Sequence, residues 1–158
     1  MKKILFFILL LIGVLMINTP AEAKKKFKKS DLRLMSAIIY SEANGECYAG
    51  KKAVGIVVMN RVKHKDFPDS IKGVIYERGQ FTPAHNGGLN QSLRIYDQYN
   101  KKGKFKGPMK DCRKAALEVL KGSRTIKINK KTKKMTGFLY FSRYIRRCRF
   151  QLGGHQFA

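Results

Sequence analysis

The sequence has 158 residues, with 34 Lys and Arg against 10 Asp and Glu, so its formal net charge at pH 7 is +24. A chain of this length fits one compact domain with a single core rather than several domains. So strong a positive charge bears on partners rather than on fold, and it indicates anionic ones: nucleic acid, envelope polymers or membrane surfaces.

The first 23 residues have the pattern of a secretory signal peptide. Lys2 and Lys3 form a basic start, Ile4–Ile17 is an uninterrupted apolar run, and Ala21–Ala23 supplies a small-x-small cleavage pattern. The alternative is an uncleaved membrane anchor, but the apolar run is shorter than the roughly 20 residues that a spanning helix needs. We therefore expect cleavage after Ala23 and export to the periplasm, the cell wall or the extracellular space.

Export implies an oxidising environment and argues against nucleic acid as a partner. Cys47, Cys112 and Cys148 are widely and irregularly spaced, so at most one internal disulfide can form. None of them lies in a CxxC pair or a Cys/His cluster, so neither a metal nor a cofactor is predicted. Anionic wall polymers remain as partners for the positive charge, beside the simpler interpretation of a solvated, lysine-coated surface.

Residues 24–30 are predicted to be a flexible basic arm, and residues 31–158 the folded domain. Ser30–Asp31 has the pattern of a helix start, with a capping hydroxyl and an acid in the first turn. Apolar residues follow at helical spacing: Leu32, Met35, Ile38 and Ile39. Asn44–Gly45 predicts the end of this helix, because both residues tolerate the left-handed conformation.

A second helix is predicted over Tyr48–Lys63, which has a broad apolar face. Four small residues would let it pack closely against the first helix: Ala49, Gly50, Ala53 and Gly55. Arg61, near its end, is accounted for by the helix dipole alone. Ile71–Tyr76 is a short apolar stretch that fits a helix or a strand, and Arg78–Asn90 is predicted to be a loop from its Gly, Pro and Asn content.

The C-terminal part contains the strand candidates. Asp111–Lys121 predicts a third amphipathic helix, and the strongly basic Thr125–Thr136 is predicted to be turn-like. Gly137–Tyr144 is the best strand candidate because aromatic residues alternate along it, and a second strand is predicted near Arg149–Leu152. Gly153–Phe157 is too short and Gly-rich for a helix. Helices first and strands last predict an α+β domain.

Glu42 is singled out by helical phase. It follows Met35, Ile38 and Ile39 at helical spacing and so shares the face of the core-forming residues, whereas Glu46 lies past the Asn-Gly break and is predicted to be exposed. A carboxyl group held against apolar surface has a raised pKa, which suits a general acid that protonates a departing sugar oxygen. The alternative is that Glu42 caps a neighbouring loop or pairs with one of the many cations.

Several ordered segments resemble a known family. They are Ser41–Glu46, Ala53–Val54, Val58–Val62, Phe67–Pro68, Gly73–Tyr76, Gly79–Thr82 and Gly154–Phe157. Over essentially all of Asp31–Phe157, the sequence resembles the catalytic domain of the spore cortex-lytic enzymes, the SleB-type cell wall hydrolases. The basic segment Lys127–Lys134 (KINKKTKK) is not a feature that we associate with that family.

The resemblance implies a lysozyme-like fold that acts on the glycan strands of peptidoglycan, with Glu42 as the catalytic acid. The reaction it implies is lytic transglycosylation between N-acetylmuramic acid and N-acetylglucosamine, in which one carboxyl group serves as acid and then as base. Hydrolysis normally uses a second carboxylate. Apart from Glu46, the nearest acids, Asp66, Asp69 and Glu77, have no paired context. We expect a monomer that works without a cofactor.

Five further residues are candidates for substrate binding. Gln80, Phe81 and Thr82 lie in a Gly-flanked loop with an exposed-looking aromatic ring, and the resemblance supports a sugar-binding wall there. Tyr140 lies in the predicted strand, where alternate side chains point to the core and to the cleft. His155 either orients the substrate or is a terminal surface residue.

Two other functions stay open. An N-acetylmuramoyl-L-alanine amidase would normally use a zinc site, and His64, His85 and His155 are scattered without the spacing of metal ligands. A non-catalytic cationic protein that binds the cell wall or a membrane would agree with the net charge and with the KKKFKK sequence of the basic arm. It would leave the position of Glu42 on the apolar face unexplained.

Overall fold

The structure, a computed structural model, describes residues 27–158. The predicted signal peptide and residues 24–26 of the predicted basic arm lie outside these residues and stay predictions. Within residues 27–158 there are six helices: α1 (Lys29–Ala43), α2 (Tyr48–Val62), α3 (Ile71–Tyr76), α4 (Thr82–His85), α5 (Gly88–Lys101) and α6 (Gly107–Leu120). Five short strands follow them: β1 (Thr125–Ile128), β2 (Lys131–Lys134), β3 (Phe141–Ser142), β4 (Phe150–Leu152) and β5 (His155–Phe157). The prediction of an α+β domain with its helices first is confirmed.

α1 begins earlier than its predicted start. The Lys28 backbone N–H donates to the Asp31 carboxylate at 3.1 Å, so the acid rather than the Ser30 hydroxyl caps the first turn. The last two residues of the predicted basic arm therefore belong to the helix. At its other end, the helix stops directly before Asn44–Gly45, as predicted.

α1 is central to the larger of two hydrophobic clusters, where it packs against α2, α5 and α6. Its core residues Met35, Ile38 and Ile39 are fully buried. Gly55 of α2 lies so close to α1 that a Cβ atom there would be 2.9 Å from the Ile39 Cδ1 atom. The predicted close packing of the first two helices is therefore confirmed at this glycine.

α4 and α5 were not predicted. The loop prediction for Arg78–Asn90 is wrong for α4 and for the first residues of α5. α5 follows Gly87, whose φ of +87° suits glycine, and its apolar residues Leu89, Leu93 and Tyr96 are buried. The paired glycines and the asparagines around its start are typical of a loop, and they obscure the helical spacing that follows.

The basic segment Thr125–Thr136 contains an antiparallel hairpin formed by β1 and β2, where only turns were predicted. Asn129 and Lys130 form its turn with φ angles of +47° and +66°, as a two-residue turn with both residues at positive φ requires. Lysine is unusual at such a position, so no common turn signal marks the hairpin in the sequence. Ile126 is buried against α2 and fixes the hairpin to the domain.

The second sheet is antiparallel and has the strand order β3–β5–β4. The predicted strand over Gly137–Tyr144 is reduced to the two residues of β3, whereas the strand near Arg149–Leu152 is confirmed as β4. The central strand β5 comes from the Gly-rich C-terminus. Its residue Phe157 packs with Met135 and Phe138 and with the middle of α2 in the smaller hydrophobic cluster.

The three cysteines are unpaired, with Cys112 buried and Cys47 and Cys148 exposed. Burial raises the pKa of the Cys112 thiol to about 12, so this thiol stays protonated at neutral pH. Within residues 27–158, none of the helices has the length and apolar character that crossing a membrane requires.

Asn60 joins the helical part of the domain to the segment that precedes the second sheet. Its side chain is 8% exposed, and its Nδ2 atom donates to the carbonyl oxygens of Met135 (2.8 Å) and Phe138 (2.9 Å). Both acceptors belong to buried residues. One amide group at the end of α2 therefore satisfies two backbone carbonyls of a segment that has no regular structure of its own.

Replacing this amide should weaken the fold. In Asn60→Ala both carbonyls lose the amide donor, and the Met135 carbonyl keeps only the Phe138 N–H, so we expect the free energy of unfolding to fall by about 1–3 kcal/mol. Urea-induced unfolding measures the loss, and Asn90→Ala, at an exposed position of α5, is the matched control. Equal losses in the two variants would contradict this role of Asn60.

Candidate active site

Glu42 lies in the last turn of α1, partly buried, above the fully buried side chains of Ile38 and Ile39. The end of α1 is fixed to α5 by its neighbour, since the Ser41 hydroxyl lies 2.8 Å from the Ser92 hydroxyl and donates to the Ala37 carbonyl oxygen at 3.0 Å. The predicted placement of Glu42 beside the core is therefore what the backbone of α1 produces.

Burial raises the pKa of the Glu42 carboxyl, and the positive charge of Arg61 opposes this shift by favouring the ionised form. Within residues 27–158, no donor forms a hydrogen bond with the Glu42 carboxylate. Desolvation therefore decides the direction of the shift, and the carboxyl group keeps its proton to higher pH than an exposed glutamate. A group of this kind can act as a general acid and, once ionised, as a base.

Arg61 is the central contact of the site. Its side chain is 3% exposed, and its Nε atom donates to the Leu139 carbonyl oxygen at 2.7 Å. Three aromatic rings surround the guanidinium group, with distances from its carbon to the ring centroids of 5.0 Å for Phe81, 5.2 Å for Phe67 and 5.6 Å for Tyr140. The cation–π contacts offset part of the cost of burying this charge.

Two carboxylates act on the same buried cation. Burial lowers the pKa of Arg61, whereas Tyr140, Glu77 and Glu42 raise it. Glu77 therefore acts on the same cation as Glu42, although nothing in the sequence pairs the two acids. Its Oε2 atom is buried and forms no hydrogen bond within residues 27–158.

Arg61 lies in the last turn of α2, as the helix-dipole interpretation requires, but the dipole alone does not account for it. The residue is almost fully buried and its charge acts on Glu42. Sequence reasoning missed it because the rings around it come from three separate segments, and no local spacing reveals that they meet. The only signal was the presence of Asn60–Arg61 in one of the segments that carry the family resemblance.

Phe81 does not present an exposed ring. It is 1% exposed and packs between Arg61 and Phe141, whose ring centroid lies 6.0 Å away. The prediction of an exposed aromatic wall is therefore wrong at this residue. Gln80 is partly buried, and its backbone N–H donates to the Glu77 carbonyl oxygen at 3.2 Å.

Thr82 is exposed and lines an open cleft of about 440 Å³. Arg78, His85 and Asn86 lie along the same cleft. These side chains are polar or charged, so the cleft is suited to polar groups rather than to an apolar ligand.

Tyr140 supplies the accessible aromatic surface. Its side chain is 49% exposed, and its ring packs against Phe67 with a centroid distance of 6.1 Å. One part of the ring thus contacts Arg61 and Phe67 while the rest faces solvent, which is the arrangement that sugar stacking requires.

His155 is partly buried, with its ring 5.2 Å from the Phe141 ring. Burial lowers the pKa of His155, with Glu46 raising it and Arg143 lowering it, so the imidazole is neutral at pH 7. His155 lies on the same side of the domain as Arg61. The two are linked by successive contacts, from Arg61 to Phe81, from Phe81 to Phe141 and from Phe141 to His155.

Glu46 binds the turn between β4 and β5. The Gly154 N–H donates to its carboxylate oxygens at 3.2 and 3.3 Å, and the Lys51 ammonium group donates to its backbone carbonyl oxygen. A Cβ atom at Gly153, where φ is +56°, would lie 1.9 Å from Glu46 Oε2. Glu46 therefore positions the turn that leads directly into His155, and it is partly buried rather than exposed as predicted.

A methyl group at position 153 should destabilise the protein because it would clash with the Glu46 carboxylate. We expect Gly153→Ala to lower the free energy of unfolding by about 2–4 kcal/mol, because a positive φ and a clash add together. Gly103→Ala is the control, since Gly103 has a φ of +63° but open space at its Cβ position, and its loss should be about 1 kcal/mol.

The excess loss in Gly153→Ala should disappear when Glu46→Ala is combined with it, since the clashing oxygen is then absent. A double-mutant cycle on urea unfolding measures this coupling. Strict additivity of the two substitutions would contradict the contact.

The α+β fold is lysozyme-like and matches solved catalytic domains of one kind. The catalytic domain of the Bacillus cereus SleB protein superposes with a TM-score of 0.59 at 25% sequence identity, covering 84% of this chain and 92% of that chain. The catalytic domain of the germination-specific lytic transglycosylase SleB from Bacillus anthracis gives the same TM-score at 24% identity, covering 84% and 97%.

The Cell Wall Hydrolase family matches residues 45–158, and the chain belongs to this family. Similar proteins include the spore cortex-lytic enzyme of Bacillus subtilis strain 168, at 34% identity over 66% of this chain and 33% of that protein. The spore cortex-lytic enzyme of Oceanobacillus iheyensis is 37% identical over 49% of this chain and 26% of that protein. The chain thus spans a third or less of the length of these relatives. Glu42 lies just before the residues that the family matches.

Proposed function

We propose that this protein cleaves the glycan strands of peptidoglycan as a lytic transglycosylase, with Glu42 as general acid and base. The observation that carries the proposal concerns the Glu42 carboxyl group, which is partly buried in a lysozyme-like domain. Burial raises its pKa, and the buried charge of Arg61 opposes this rise. Membership of the Cell Wall Hydrolase family supports a wall substrate. The names of similar proteins, spore cortex-lytic enzyme and lytic transglycosylase, support cleavage of the glycan.

The proposed reaction cycle needs one carboxyl group. Protonated Glu42 donates its proton to the oxygen between N-acetylmuramic acid and N-acetylglucosamine, and the bond from that oxygen to the muramic C1 breaks. The Glu42 carboxylate that results is stabilised by the Arg61 charge, and it accepts the proton of the muramic 6-hydroxyl as this oxygen bonds to C1. One fragment then ends in 1,6-anhydromuramic acid, the other begins with an N-acetylglucosamine that carries the freed hydroxyl group, and Glu42 is protonated again.

Substrate contacts are proposed for the residues that remain accessible around this site. The exposed part of Tyr140 would stack on a sugar ring, and neutral His155 would offer a hydrogen bond. Thr82 and Gln80 would bind polar groups along the loop, whereas Phe81 would act only through Arg61.

Hydrolysis is the second candidate outcome, because Glu77 acts on the same cation as Glu42 and has a buried, unpartnered oxygen. A second carboxylate is what hydrolysis normally requires. The amidase alternative has less support, since residues 27–158 do not bring together three or more His, Cys, Asp or Glu side chains that could hold a metal ion. We further propose that residues 1–23 direct export, that the protein acts as a monomer in the cell envelope, and that nucleic acid is not its partner.

Digestion of purified sacculi tests the proposed function. Wild-type protein should release fragments with 1,6-anhydromuramic ends, identified by mass spectrometry, and Glu42→Gln should reduce their release by about 100- to 10,000-fold. The substitution should not lower the melting temperature at pH 7, because it removes a carboxylate whose ionisation burial disfavours. New reducing ends that depend on Glu77 would show hydrolysis, freed stem peptides would show amidase action, and equal digestion by Glu42→Gln would refute the role of Glu42.

The pH dependence of digestion tests the role of Arg61. Activity should fall as pH rises through the pKa of Glu42, since the acid must be protonated. Arg61 lowers that pKa, so Arg61→Gln should move the alkaline limb to higher pH, whereas Arg61→Lys keeps the charge and should leave the limb closer to its wild-type position. Both variants should lose activity through the lost hydrogen bond to Leu139. An alkaline limb that stays in place in Arg61→Gln would contradict the electrostatic role.

A further inference from the structure

The C-terminal part of the chain has an unbalanced charge. Residues 123–158 contain ten Lys and Arg and no Asp or Glu. Five of the ten are the lysines of the β1–β2 hairpin, and four are the arginines between β3 and β4. Most of these side chains are exposed, and within residues 27–158 none of the ten takes part in a salt bridge.

The register of the hairpin gives it one purely polar face. Thr125 pairs with Lys134 and Lys127 with Thr132, so these four side chains share the face opposite to buried Ile126. Each lysine is opposite a threonine rather than another lysine, which reduces direct like-charge repulsion across the ladder. The face is thus charged without apolar side chains.

The hairpin and the arginine loop meet at one pair of aromatic rings. The Lys133 ammonium group lies 4.5 Å from the Phe150 ring centroid and 5.7 Å from that of Phe138. The Arg149 guanidinium carbon lies 4.4 Å from the same Phe138 ring. These contacts bring the two segments together, and we call their exposed cations the basic surface: Lys127, Lys130, Lys131, Lys134, Arg143, Arg146 and Arg147.

The basic surface lies next to the proposed active site in the fold. Asn60 and Arg61 bind the segment 135–139, which connects the hairpin to Tyr140. The charge of Arg143 acts on His155. A polymer held on the basic surface would therefore run close to the glycan that the site receives.

We propose that the basic surface docks linear phosphodiester polymers of the cell wall, a proposal that rests on the proposed action on peptidoglycan. Seven exposed cations, in a part of the chain that contains no Asp or Glu, complement a chain of regularly repeated phosphates better than the sparse carboxylates of stem peptides. The hairpin face lacks the apolar residues with which an interfacial element enters a membrane. The exposed ring of Tyr144 lies among the arginines, so anionic vesicles are included in the test.

The test measures binding without cleavage. The full chain with Glu42→Gln is sedimented with sacculi that carry a polyol-phosphate polymer, and with the same sacculi after hydrofluoric acid has removed it. Lys127→Gln, Lys131→Gln and Lys134→Gln are then combined in this chain. The matched control combines Lys101→Gln, Lys102→Gln and Lys104→Gln, three lysines that are also exposed and lie at the end of α5 and after it.

The hairpin variant should bind untreated sacculi at least about 10-fold more weakly, and the slope of log affinity against log salt should fall by about 2, since each phosphate contact of a flexible chain contributes roughly 0.7. The control should change affinity less than about 3-fold. On stripped sacculi the two variants should bind alike. Three outcomes would each overturn the proposal. They are equal losses of affinity in both variants, binding that stripping does not change, and hairpin-dependent binding to phosphatidylglycerol vesicles but not to the polymer. Because binding is measured without turnover, it can fail or hold independently of the cleavage assay.

Discussion

A buried guanidinium group is the constraint on which the rest of the site depends. Removing a charge from water is costly unless hydrogen bonds and countercharges replace the lost solvation. Arg61 has one hydrogen bond to a backbone carbonyl, three aromatic rings and the fields of two carboxylates around it. These partners come from the end of α1, the turn between α2 and α3, the loop after α3 and the segment before β3. Each of them must be in place for the charge to remain buried, so the position of Arg61 fixes the relative position of all four.

The same charge sets a compromise at Glu42. A general acid must be protonated before the reaction and must carry a negative charge during it, so its pKa has to lie near the working pH. Burial alone would favour the protonated form too strongly, and a close ion pair would favour the carboxylate too strongly. In the role that we propose for Glu42, these two demands pull in opposite directions, and so do the effects of desolvation and Arg61 on its pKa. Glu77 acts on Arg61 as well and raises the pKa of this cation.

How much could be predicted from the sequence depends on how far apart along the chain the interacting residues lie. Helical spacing depends on neighbouring residues, so α1, α2 and the core-facing phase of Glu42 were predicted correctly. The burial of Phe81 and the cage around Arg61 depend on segments that meet only in the folded chain. Glu46 and Gly154, 108 residues apart, are a second example. The family resemblance implied the lysozyme-like fold and the catalytic role expected of Glu42, but it could not show which aromatic ring is exposed.

Both ends of α2 form polar contacts with the basic C-terminal part of the chain. In this way α2 connects that part to α1, which contains Glu42. Just before its first turn, Glu46 accepts a hydrogen bond from Gly154, and in its last turn Asn60 and Arg61 donate to carbonyls of residues 135–139. Between these ends, apolar residues of α2 pack against the strands. Residues 123–158 contain no Asp or Glu, so the side-chain carboxylate that they bind through Gly154 comes from outside this part of the chain. Polar contacts have directions and apolar contacts do not. The apolar middle of α2 therefore holds the strands against the helices, while the two polar ends fix where Tyr140 and His155 stand relative to Glu42.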